Sequence, residues 1–124
     1  MVEFLGWFNV SLLVFNFSSF PLRLLNQKLK NGKLTFLIRF LKKYHKITGI
    51  FLVISGFIHG FLALGYNFYF HTGSLLWWMI ILMFLFYLLG KLKFLKRKWI
   101  YFHRSLGVLL VAFLLIHLLN PWLF

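Results

Sequence analysis

The chain has no cysteine and a single acidic residue, Glu3, among 124 residues. Without cysteine there is no disulfide, no thiolate iron–sulfur ligation and no C-x-x-C-H attachment of a c-type haem, so any haem must be held without a covalent link. With one carboxylate at the start of the chain, an acid-based proton relay through a membrane is not available, which argues against a pump or proton-coupled carrier. Only two prolines occur, Pro21 and Pro121, and no pair of broken helices or polar pore stripe marks a transporter or channel. Charge is scarce as well, at 12% of residues against about 25% in an ordinary soluble domain.

What is abundant is apolar surface. Hydrophobic residues make up 62% of the chain, including 18 Phe. A soluble domain of this length cannot bury that much, so the composition predicts an all-α integral membrane protein forming one membrane domain over residues 1–124. Four apolar runs define spans at about residues 4–20, 44–65, 75–93 and 99–119, the third extendable to Leu95 if Lys91 and Lys93 snorkel. The first is the weakest, with Asn9, Asn16 and three serines, and Pro21 is expected to end it. Glu3 precedes it and the basic residues follow it, the reverse of a signal peptide, so it reads as a retained span.

Net charge is +13, and all fourteen Lys and Arg fall within residues 23–46 and 91–104. Short basic windows between apolar runs mark cytoplasmic loops rather than a nucleic-acid surface. Both basic loops are therefore expected in the cytoplasm and both termini outside, in a bacterial-type inner membrane or its equivalent. Tyr44, Trp99 and Tyr101 then fall at the inner interface, and Tyr66, Tyr69, Trp77, Trp78 and Trp122 at the outer one. Between the first two spans, residues 21–43 form a basic, amphipathic linker punctuated at Asn31-Gly32. In its second half, which leads into the next span, Leu34, Leu37, Ile38 and Leu41 recur at helical spacing. They predict a basic interfacial linker helix inserted in a four-helix up-down bundle.

Two segments repeat one pattern. HKITGIFLVISGFIH runs over residues 45–59 and HRSLGVLLVAFLLIH over residues 103–117. Each opens with His and a basic residue (Lys46, Arg104), has Gly four residues on (Gly49, Gly107) and closes with His. At about 100° per residue, fourteen steps fall only about 40° short of four full turns, so both histidines of a segment share a face. At about 1.5 Å per residue they stand roughly 21 Å apart along the axis, within a hydrocarbon core of about 30 Å.

Spans two and four run parallel, so His45 matches His103 in depth and His59 matches His117. Facing imidazoles at two levels suit two six-coordinate haem irons in a bundle core. Zinc or copper fits less well, because two His per level leave a tetrahedral site half filled and no Cys, Asp or Glu lies nearby. Gly49 and Gly107 give a flat macrocycle room, while Gly56 and Gly60 serve helix packing equally well. Lys46 and Arg104 can pair with propionates or snorkel to the interface. Thr48, Ser55 and Ser105 can orient a histidine's second ring nitrogen or bond a carbonyl of their own helix. His71, in the outer loop beside Tyr69 and Phe70, reads as an interfacial residue, with lining of an outer quinone or partner site as the less favoured role.

These residues resemble the diheme transmembrane cytochrome b core, in which the second and fourth helices of a four-helix bundle each give two histidines. The HR-x-L-G…H pattern of residues 103–117 is similar also to the ferric-reductase-like transmembrane domain. The match covers spans two and four, roughly a third of the chain. The resemblance implies two haem b groups, ligated by His45 with His103 and by His59 with His117, and electron transfer across the membrane. The chain departs from these families in having no flavin or nicotinamide domain and no acidic quinol-site motif. The expected function is that of a diheme b-type cytochrome subunit of a membrane oxidoreductase. It would carry electrons between a quinone or cytoplasmic donor and an outer acceptor, alongside membrane lipid and further redox subunits. The alternative is a non-catalytic membrane subunit of a larger complex, with structural haem or none.

Overall fold

A computed structural model of the protein describes residues 1–67, 69–92 and 96–123. Among them are four α-helices and no strand: α1 (Val2–Leu29), α2 (Gly32–Ala63), α3 (Thr72–Lys91) and α4 (Lys98–Leu119). All four are long and apolar enough to cross a membrane. Even the shortest, 20 residues, spans about 30 Å at the usual rise, the thickness of a hydrocarbon core. The chain accordingly has the architecture of an all-helical integral membrane protein. Lys93 and Leu95, expected at the end of the third span, lie outside the described residues.

The linker expected between the first two spans takes a different form. No separate interfacial helix stands between them. The first part of the segment prolongs α1 through Pro21 to Leu29, and the second begins α2 at Gly32. Proline removes one N–H from the ladder, a loss that a membrane helix tolerates. The residues after it (Leu, Arg, Leu, Leu, Asn, Gln, Lys, Leu) mostly favour a helix. The stop comes at Lys30, which takes the left-handed conformation (φ 48°) and bonds its N–H to the Asn26 carbonyl. Asn31 Oδ1 then accepts from Lys33 N–H at 2.8 Å and starts α2. Asn26 clamps the turn from both directions, accepting from Asn31 N–H and donating to Thr35 Oγ1, each at 2.8 Å.

The chain forms two compact units, Met1–His59 and Gly60–Phe124. In the first, α1 and α2 are antiparallel. Asn9 pairs with Ser55, the Ser55 hydroxyl donating to Asn9 Oδ1 and Asn9 Nδ2 to the Ser55 carbonyl at 3.3 Å. Seven residues on in α1 and seven back in α2, Thr48 Oγ1 donates to Asn16 Oδ1 at 2.7 Å. Two turns therefore separate the rungs, and both lie on one seam with the buried Leu13 and Leu52. Asn9 and Asn16, which weaken the first span as a hydrophobic run, are thus the residues that join it to α2. In lipid such interhelical bonds contribute about 1 kcal/mol each.

In the second unit, α3 and α4 pack antiparallel around Leu76, Met79, Leu110 and Leu114. Phe86 stacks on Phe102 with centroids 5.1 Å apart and planes at 9°. Near the end of α3, the Trp99 indole lies where a Cβ of Gly90 would stand, so the absent side chain permits this crossing. At the other end, His71 caps α3. Its Nδ1 accepts from Ser74 N–H while its own N–H donates to Ser74 Oγ, a capping box.

Candidate functional site

His45 and His59 lie in one unbroken helix, and so do His103 and His117. Regular helix geometry over fourteen residues then holds each pair on a shared face, roughly 21 Å apart along the axis. His45 and His59 belong to the first unit and His103 and His117 to the second. All four are half-buried.

Three of the four rings meet a named partner at Nδ1. His59 Nδ1 lies 3.1 Å from the Val2 carbonyl oxygen at the start of α1. His103 Nδ1 lies 3.1 Å from the Met83 carbonyl oxygen in α3, and the Trp99 ring meets the His103 ring edge-on, centroids 6.0 Å apart. A carbonyl oxygen only accepts, so Nδ1 must carry the proton in both rings. In the neutral imidazole, Nε2 then holds the lone pair. This is the arrangement in which a histidine ligates metal through Nε2 while an oxygen acceptor fixes its orientation. His117 Nδ1 meets the Thr72 hydroxyl at 2.8 Å. Around His45, the Thr48 hydroxyl approaches the His45 carbonyl at 3.2 Å.

The Nδ1 partners of His59, His103 and His117 are thus two carbonyls and the Thr72 hydroxyl, none of which stood out in the sequence. Thr48 and Ser55 take the second of the two roles open to them: each bonds carbonyls of its own helix and an asparagine of α1. The two repeat glycines differ in setting. A Cβ on Gly49 would meet nothing within 4 Å, whereas Gly107 is buried and its Cβ would touch Met83 Cε at 3.5 Å. Lys46 and Arg104 are exposed beside their histidines. Gly6, overlooked in the sequence, packs against His59, a Cβ there standing 3.2 Å from His59 Cε1. Its signal was present: Gly6, Asn9, Leu13 and Asn16 follow one another at helical spacing along the seam face.

His71, read from the sequence as an interfacial residue, is buried within its unit, 6% exposed. Its ring lies edge-to-face with His117 at 6.3 Å and beside Trp122 at 5.4 Å. Gly73 makes this possible, since a Cβ there would stand 3.0 Å from both His71 Nε2 and His117 Cε1. Among the described residues no three His, Cys, Asp or Glu side chains gather to hold a metal ion by themselves.

Comparison of the chain with protein-family models, with curated proteins and with solved structures yields no match.

Proposed function

We propose that this protein is a diheme b-type cytochrome subunit that carries electrons across a membrane. The observation that carries the reading is the placement of His45 with His59, and of His103 with His117, at identical spacing in two unbroken helices. Nε2 lone pairs on His59 and His103, with Nδ1 bound to a carbonyl, supply the donor chemistry that an axial ligand requires.

In this reading the two hairpins close into an up-down four-helix bundle with the basic segments on the cytoplasmic side. His45 with His103 would hold the inner haem b and His59 with His117 the outer one. When bound, haem iron supplies the one-electron chemistry, and the protein sets its ligation, dielectric and access. Lys46 and Arg104 would neutralise propionate charge at the inner level, and Gly49 and Gly107 would keep the helix faces low between the levels. A quinone or a cytoplasmic redox protein is the donor class, and other subunits of a membrane oxidoreductase complete the path.

The purified protein is expected to give two non-covalent haems b per chain in a pyridine haemochrome assay. One per chain would mean that one histidine pair is misassigned. None would overturn the cytochrome and leave a non-catalytic membrane subunit, a reading that the snug seating of His59 and His103 on backbone carbonyls also accommodates.

A further inference from the structure

Thr72 is the first residue of α3 and has no exposed surface at all. Its hydroxyl oxygen lies 2.6 Å from the Pro121 carbonyl oxygen and 2.8 Å from His117 Nδ1. A hydroxyl has one proton to give. If it gave that proton to His117, the Thr72 and Pro121 oxygens would face each other at 2.6 Å with only lone pairs between them. The carbonyl cannot donate, so the Thr72 proton belongs to Pro121, and His117 must bring its own proton on Nδ1.

We propose that Thr72 is a positioning residue that locks His117 in the Nδ1–H tautomer and so keeps the lone pair on Nε2, where a metal ligand needs it. The neighbouring ring shows that this outcome depends on the local partner. His71 Nδ1 accepts at 3.3 Å from the Ser74 backbone N–H, a group that only donates, so neutral His71 carries its proton on Nε2. Two imidazoles 6.3 Å apart are thus held in opposite tautomers, and only His117 presents a lone pair at Nε2. The same hydroxyl also ties the turn after α4, through Pro121, to the start of α3, so the ring is fixed in position as well as in protonation. An oxygen acceptor on Nδ1–H makes the ring a stronger donor and favours the oxidised metal. The tautomer assignment stands on the hydrogen bonds alone. The role toward a metal rests on reading His117 as an iron ligand.

The test is 15N NMR of histidine-labelled, haem-free full-length protein in nanodiscs, with the His117 signals identified by their loss in His117→Gln. In the wild type, His117 should be protonated at Nδ1. Thr72→Val, which keeps the shape and removes the hydroxyl, should move the proton wholly or partly to Nε2, and Thr72→Ser should restore the wild-type pattern. A wild-type His117 protonated at Nε2, or a pattern unchanged in Thr72→Val, overturns the proposal. Should Thr72→Val not fold, the wild-type and Thr72→Ser spectra still decide the tautomer. In haem-loaded protein, the midpoint potential of the component lost in His117→Ala should rise in Thr72→Val and return in Thr72→Ser. An unchanged potential removes the role toward the metal. If no haem binds at all, the cytochrome reading fails while the NMR result stands.

Discussion

Gly6 of α1 and His59 of α2 fit together because one of them has no side chain: a Cβ on Gly6 would stand 3.2 Å from His59 Cε1. Replacing that glycine sets two effects against each other. A side chain raises helix propensity by up to about 1 kcal/mol, and it pushes on a ring that the Val2 carbonyl holds at Nδ1. Gly6→Val should therefore leave helicity by circular dichroism near wild type and remove the same haem component that His59→Ala removes. Retention of both components would show that His59 does not depend on this contact.

The pairing of histidines is testable by spectral deletion. His45→Ala and His103→Ala should each abolish one b-type component, and His59→Ala and His117→Ala the other. Loss of the same component from His45→Ala and His117→Ala would mean that the two helices match in the opposite sense.

Gly90 makes a sharper packing prediction. The Trp99 indole occupies the position of its missing Cβ, so even Gly90→Ala must push a large ring. Overpacking of this kind costs about 1–3 kcal/mol, more than the propensity gain of about 1 kcal/mol. Gly90→Ala should lower the midpoint of unfolding in mixed micelles, and Gly90→Val should lower it further. An unchanged or raised midpoint would contradict the packing of α3 on α4.

Sidedness can be read because the chain has no cysteine of its own. Lys30→Cys, in the turn between α1 and α2, and Asn67→Cys, before α3, each introduce a single thiol. In intact cells a membrane-impermeant maleimide should label Asn67→Cys and leave Lys30→Cys unlabelled until the membrane is opened. The opposite pattern would invert the proposed topology.

The sequence by itself determined that the chain is helical, that four runs reach membrane length, and that His45, His59, His103 and His117 recur at one spacing. These properties follow from composition and from the 3.6-residue period, which act along a single helix. Helix ends were less legible. Pro21 read as a stop because proline costs one hydrogen bond, yet α1 runs through it, and the break comes beside the Asn31-Gly32 punctuation, where side chains and left-handed Lys30 close the turn. What each histidine leans on was decided only by tertiary structure. Val2 with Gly6, the Met83 carbonyl and Thr72 come from 57, 53, 20 and 45 residues away in the chain. The burial of His71 was hidden for the same reason. Its neighbours in sequence are exposed aromatics, whereas the packing of α3 on α4 seats it against His117 and Trp122. Hydrogen-bond partners across helices have no period in the sequence, because they depend on which faces meet and at what register.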